Sequence, residues 1–145
     1  MQKFLSKSAQ ETENIAYEFS GTLKGTEVIA MFGDLGAGKT AFTRGLAKGL
    51  GAGDVVSSPT FALVNEYEGK FPIYHFDMYR ITSYDDLYST GFFDYENNGI
   101  MVIEWSENVE DFLPEDLIRI TLTYLSENER EIIIEGEGKY ENSCC

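Results

Sequence analysis

At 145 residues, with 43% hydrophobic and 25% charged residues, the chain has the size and balance of a single globular domain. Its 25 Asp and Glu outnumber 11 Lys and Arg, a formal net charge of −14, and so acidic a surface repels phosphate backbones. That argues against direct nucleic-acid binding, while a role in a nucleic-acid pathway through a protein partner stays open.

In chain order, Ser8-Ala9-Gln10-Glu11 fits a capping box, and Ile15, Ala16, Phe19 and Leu23 follow at helical spacing. A first helix of three to four turns is expected there, then a turn at Lys24-Gly25-Thr26 and a short buried strand from Glu27 to Phe32. After a glycine-rich loop, Phe42, Leu46 and Leu50 recur every four residues, and Gly51 offers a helix stop. Phe61 to Tyr67 and Phe71 to Phe76 flank Glu68-Gly69-Lys70 and predict a hairpin. Asp85 to Ser89 predicts a short helix ending at Gly91, and Ile100 to Ile103 a strand buried on both faces. Ile118, Ile120, Leu122 and Tyr124 alternate with polar residues, which, with Arg130 to Glu135, predicts a final strand pair with one solvated face. With the loop Gly33-Asp34-Leu35-Gly36-Ala37-Gly38-Lys39-Thr40 between the buried strand and the second helix, the fold class that follows is α/β, a P-loop NTPase-like single domain with a mixed sheet flanked by few helices. Residues 1–140 would form it, and 141–145 a frayed tail. The two cysteines, Cys144 and Cys145, are neighbours in that tail, cannot staple a fold and have no zinc spacing. No apolar run approaches the ~18 residues that span a bilayer, and the first residues lack the apolar stretch of a secretory signal. A cytoplasmic protein without membrane contact is expected.

Gly33-Asp34-Leu35-Gly36-Ala37-Gly38-Lys39-Thr40 matches G-x-x-x-x-G-K-[ST] in full. Its glycines let backbone N–H groups wrap phosphates without Cβ clashes, and the helix that follows, through Ala41, aims its N-terminal dipole at the same anion. Lys39 can reach the β- and γ-phosphates, and the Thr40 hydroxyl suits one position on Mg²⁺. The nucleotide-binding set is therefore Gly33, Asp34, Gly36, Ala37, Gly38, Lys39, Thr40 and Ala41. A metal shell also needs a carboxylate at a neighbouring strand end. Asp77, after Ile73 to Phe76, and Glu104, after Ile100 to Ile103, both qualify, and spacing alone does not rank them. His75, the only histidine, reads as a hydrogen-bonded structural residue more readily than as a base.

A GTPase is disfavoured, because no asparagine precedes a lysine as N-K-x-D requires, and no D-x-x-G follows the loop. A small-molecule kinase needs several arginines and room for an acceptor lid. This chain has four arginines, Arg44, Arg80, Arg119 and Arg130, and no spare segment of ~30 residues. A phosphotransferase stays as the alternative function, and a nucleotide-gated binding module as a third.

The P-loop, then Ser58-Pro59-Thr60-Phe61, then His75-Phe-Asp-Met-Tyr-Arg80, then Val102-Ile-Glu-Trp-Ser-Glu107 together resemble the TsaE family. Those are small bacterial ATPases needed for threonylcarbamoyladenosine formation in tRNA, and the resemblance runs from Ser8 to beyond Arg130. It implies ATP and Mg²⁺ as cofactors, with Thr40 and Glu104 as the magnesium ligands. Lys39, Asp77 and Thr60 would then be the catalytic group. Asp77 would act through water, and Thr60 would lie in a switch sensing the γ-phosphate. Trp105 and Glu107 would lie in a second mobile segment. The Ser8 to Thr12 turn and Arg130 would line the nucleotide's outer wall. The implied activity is slow ATP hydrolysis stimulated by TsaB and TsaD, with tRNA engaged only indirectly.

Overall fold

In the computed structural model, the described residues are 2–33, 38–52, 64–78, 81–89, 91–95, 98–113 and 116–136. Hydrogen bonding builds the elements β1 (Gln2–Ser6), α1 (Ala9–Ser20), β2 (Val28–Phe32), α2 (Lys39–Gly49), β3 (Val64–Glu68) and β4 (Pro72–Asp77). They continue with α3 (Tyr84–Ser89), α4 (Phe92–Tyr95), β5 (Ile100–Glu104), β6 (Ile118–Tyr124) and β7 (Arg130–Gly136). Two 3-10 turns, Ser106–Asn108 and Glu110–Phe112, follow β5.

The seven strands form one mixed sheet in the order β1-β7-β6-β2-β5-β4-β3. Strands β4, β5, β2 and β6 run parallel at its centre, and antiparallel partners close both edges. Every residue of β2 and β5 is buried, as their unbroken apolar runs require, since helical layers cover both faces. Alternation divides the core accordingly. Ile29, Met31, Ile100 and Val102 pack on the face of α1 and α2 with Phe19, Phe42 and Leu46. Ala30, Phe32, Met101 and Ile103 pack on the other face with Leu87 of α3 and Phe92 of α4.

Helix α1 begins as its sequence dictates, because the Ser8 hydroxyl accepts the Glu11 N–H at 3.0 Å. The Glu11 carboxylate reaches one residue past the cap and accepts the Lys7 N–H at 3.1 Å. Before β2, the buried Glu27 carboxylate accepts the N–H groups of Lys24, Gly25 and Thr26 at 2.6, 2.8 and 3.2 Å. That closes the turn predicted there.

Helices α1 and α2 lie backbone to backbone, which two glycines permit. A Cβ on Gly45 would run into the Glu13 carbonyl and come within 2.8 Å of the Ala16 Cβ, and one on Gly49 would strike the Ser20 hydroxyl. Gly45→Ala gains about 1 kcal/mol of helix propensity. The atoms in its way are mostly backbone and cannot swing aside, so overpacking of about 1–3 kcal/mol prevails. A clash with backbone puts the cost at the upper end of that range, so the expected result is a net loss of about 2 kcal/mol, read as a lower urea midpoint; an unchanged midpoint would contradict this helix contact.

The α/β fold with a mixed sheet and few helices is the one the sequence predicts, including the hairpin β3–β4, the buried β5 and the pair β6–β7. Strand β1, helix α4 and the 3-10 turns are additions. Residues 137–145, and with them the expected tail at 141–145 with Cys144 and Cys145, lie outside the described residues.

Candidate functional site

A parallel sheet directs the carboxyl ends of its strands to one rim, and ligands of open α/β sheets bind there. Helix α2 starts at this rim, beyond the end of β2. Its N-cap, Gly38, sits at φ 100°, a left-handed conformation that suits glycine and turns the chain sharply into the helix. Among the described residues no side chain caps α2, so its first amides are open toward the rim.

Lys39 begins α2 and is only 6% exposed. Its ammonium donates to the Gly33 carbonyl at 2.9 Å and lies 4.4 Å from the centroid of the Trp105 ring. Trp105 is the only non-glycine residue with positive φ among those described, at 60°. Such backbone costs about 1–3 kcal/mol and persists where the surroundings enforce it, often at functional sites. Here it turns the chain off the end of β5 and sets the indole against Lys39. Two residues on, the Glu107 carboxylate accepts the Gly33 N–H at 3.3 Å. The Trp105–Glu107 segment thus holds both ends of the phosphate loop.

Thr40, half-buried, stands in the first turn of α2. Asp77 and Glu104 end the adjacent parallel strands β4 and β5 and are direct register partners. Side-chain alternation places both on the α2 face, together with His75. Glu104 is 6% exposed, and its Oε2 lies 2.5 Å from the Nε2 of the fully buried His75. A carboxylate only accepts, so Nε2 carries the proton; the Tyr67 hydroxyl occupies Nδ1 at 3.1 Å. The chain Tyr67–His75–Glu104 fixes one carboxylate oxygen, Oε2, and with it the orientation of the whole group. His75 is structural, as its sequence context suggested, and the residue it orients is a candidate metal ligand. Tyr67 went unremarked in the sequence, although hairpin pairing places it on the face of Ile73 and His75.

A cavity of about 230 Å³ adjoins Gly38 and Ala41 and is also lined by Ser8, Thr12 and Arg130. Ser8, Thr12 and Arg130 are the residues expected along the nucleotide's outer wall, and Ala9 of α1 with Glu127 and Asn128 of the β6–β7 turn complete the lining. That turn carries no recognisable nucleotide signature in sequence. Arg130 is occupied in shaping it: its Nη1 donates to the carbonyls of Ser126, Glu127 and Glu129, and its guanidinium covers the Tyr124 ring at 4.4 Å. The Thr12 hydroxyl shares a 2.7 Å hydrogen bond with Ser6, tying β1 to the same wall. Asp34, Gly36 and Ala37 of the loop, and Thr60 with the rest of Ser58 to Phe61, lie outside the described residues, as does Arg80.

The donors present suit a magnesium–triphosphate pair: a buried ammonium, uncapped helix amides, one hydroxyl and one oriented carboxylate at a single rim. Among the described residues no three His, Cys, Asp or Glu side chains gather as an all-protein metal cage. Phosphate and water would complete the shell, as is usual for Mg²⁺. The chain's single tryptophan provides a reporter. A triphosphate that draws Lys39 off the indole changes Trp105 emission saturably with Mg-ATP; binding detected by calorimetry without that change would contradict the contact.

A profile described as "Threonylcarbamoyl adenosine biosynthesis protein TsaE" matches residues 6–132. The chain is similar to the tRNA threonylcarbamoyladenosine biosynthesis protein TsaE of Bacillus subtilis, 37% identical over 145 residues, covering 98% of this chain and 90% of that protein. The TsaE of Rickettsia prowazekii is 42% identical over 133 residues, 90% of this chain and 92% of its own length. The crystal structure of Bacillus subtilis YdiB superposes with a TM-score of 0.75 at 31% identity, covering 99% of this chain and 90% of that one.

Proposed function

The chain belongs to the TsaE family, and from that membership and the geometry of the strand-end rim we propose that it is a cytoplasmic Mg-ATP hydrolase serving threonylcarbamoyladenosine formation in tRNA. The observation that carries the reading is the meeting at one rim of the buried Lys39, the open N-terminus of α2 and the His75-held Glu104.

The Lys39 ammonium exchanges the Gly33 carbonyl for β- and γ-phosphate oxygens and offsets their charge. Thr40 and Glu104 would hold Mg²⁺, which when bound supplies further charge neutralisation and orientation of the phosphates. Gly33 to Ala41 cradle the phosphates, and Ser8, Thr12 and Arg130 border the nucleoside end. Asp77, beside Glu104, orients the water whose oxygen attacks the γ-phosphorus as the bond to the β-phosphate oxygen breaks. Thr60 senses the γ-phosphate. ADP, inorganic phosphate and one proton leave.

Turnover by the chain alone is slow, because Lys39 starts bound to Gly33 and Trp105 and all groups must be positioned together before the barrier falls. The TsaB–TsaD pair would supply that order and receive the output, with tRNA held by the partners. The net charge of −14 supports docking on protein rather than on RNA. Co-elution with TsaB and TsaD and a rise in phosphate release on mixing are expected. Absence of both effects would sink the proposal, and phosphate transfer from labelled ATP to a small molecule would favour the phosphotransferase instead.

A further inference from the structure

On the face of the sheet opposite α1 and α2, three large aromatic side chains stand out into solvent. Tyr84 is 49% exposed, Tyr88 67% and Phe112 37%. They form one patch: the Tyr84 centroid lies 6.4 Å from Tyr88, 5.7 Å from Phe93 and 5.4 Å from Phe112, and Phe93 buttresses the group from α4. An exposed Tyr is unremarkable singly, whereas a contiguous ring cluster on a small domain marks an interaction surface. Tyrosine in particular supplies large area at low entropy cost and dominates interface energetics.

The charge around the patch has one sign. Residues 84–95 and 105–113 contain Asp85, Asp86, Asp94, Glu107, Glu110 and Asp111 and no lysine or arginine. Asp85, Asp94, Glu110 and Asp111 are exposed, and Arg119 of β6 pairs with Glu110 at 3.4 Å while its guanidinium lies over the Phe32 ring. The patch is also continuous with the nucleotide site. The eight residues from Trp105 to Phe112 begin against Lys39, hold the Gly33 N–H through Glu107, and end with Phe112 edge-on to Tyr84. Between those ends, the Val109 N–H donates to the Ser106 carbonyl at 3.0 Å and the Phe112 N–H to the Val109 carbonyl at 2.9 Å, which ties the run into two consecutive turns.

We propose that the Tyr84–Tyr88–Phe112 face docks a partner protein whose apolar centre is rimmed by lysine and arginine, and that Trp105 to Phe112 carries nucleotide occupancy to that contact. The inference rests on the preceding reading and assigns it a surface. Acidic rims speed and orient encounter with a basic partner, while the rings supply the buried centre.

The test titrates the full chain against the TsaB–TsaD pair by calorimetry, at low and high salt, with Mg-ATP present and absent. Tyr88→Ser is expected to weaken binding by at least about tenfold. The pair Asp85→Lys with Asp94→Lys is expected to weaken it and flatten its salt dependence. Both variants should bind a fluorescent ATP analogue as the parent does, which establishes that they are folded with the site intact. Affinity of the parent should depend on Mg-ATP. Variants that bind TsaB–TsaD as tightly as the parent overturn this inference and leave the ATPase reading standing. A parent chain that does not bind the pair overturns both. Sedimentation showing a dimer broken by Tyr88→Ser would give the face to a second copy of the chain and overturn the heterologous docking.

Discussion

Replacing Lys39 with methionine is expected to lower phosphate release from ATP by about 10²–10³-fold, with little change in folding stability. The side chain is long, 6% exposed and charged, and its ammonium lies between the Gly33 carbonyl, at 2.9 Å, and the Trp105 face. Methionine is one heavy atom shorter and stays unbranched and apolar, so it can still pack against the indole. It forfeits one charge-assisted hydrogen bond to the carbonyl, worth about 1.5–3 kcal/mol, but also removes the desolvation cost of a buried ammonium. These terms oppose each other, so the urea midpoint should barely move. Catalysis has no such compensation, because methionine offers nothing to the charge on the transferred phosphoryl group. Single-turnover phosphate release and urea unfolding on the same preparation separate the two effects. A methionine variant with parental turnover would remove Lys39 from the site.

The second large effect is expected at His75. It is fully buried, bonds Glu104 through Nε2 and Tyr67 through Nδ1, and touches no nucleotide in the proposed arrangement, so it acts by positioning Glu104. Groups that hold a metal ligand in place typically contribute 10–100-fold in metal affinity or activity. The two neutral amides divide its roles. His75→Gln can place an N–H where Nε2 stood and keep the bond to Glu104. His75→Asn reaches only the nearer position, serves Tyr67 and leaves Glu104 without its donor. The asparagine variant should therefore need about 10–100-fold more Mg²⁺ for half-maximal nucleotide binding, while the glutamine variant stays near the parent. Equal losses of stability with equal Mg²⁺ dependence in both would reduce His75 to a packing residue. The readout is a magnesium titration of nucleotide binding, which a merely structural role would not shift.

How legible these features were differs by the range of the interaction that makes them. The Ser8 cap, the glycine loop, the Glu68–Lys70 hairpin and the alternation of β6 are local, and each is written within a few residues. Strand β1 was not legible. Of its five residues only Ser6 is buried, and backbone pairing with β7, more than 120 residues away, holds it in place. Helix α4 has four residues and too little periodicity to register, although its Phe92 is fully buried.

The same division runs through the site. The sequence by itself determined the phosphate loop and the two acids after apolar strands, because those depend on residue type at fixed spacing. It could not rank Asp77 against Glu104, since both end strands and both are carboxylates. Tertiary structure distinguished their surroundings: strand order puts β4 beside β5, pleating puts His75 on the face of Glu104, and Tyr67 comes from the next strand to lock it. It also gathered Ser8 and Thr12 with Arg130, more than 100 residues further along the chain, around one cavity with Glu127 and Asn128. Spacing along a chain encodes chemistry that one loop can perform. Orientation of one side chain by another across strands is a property of packing, and only the folded sheet decides it.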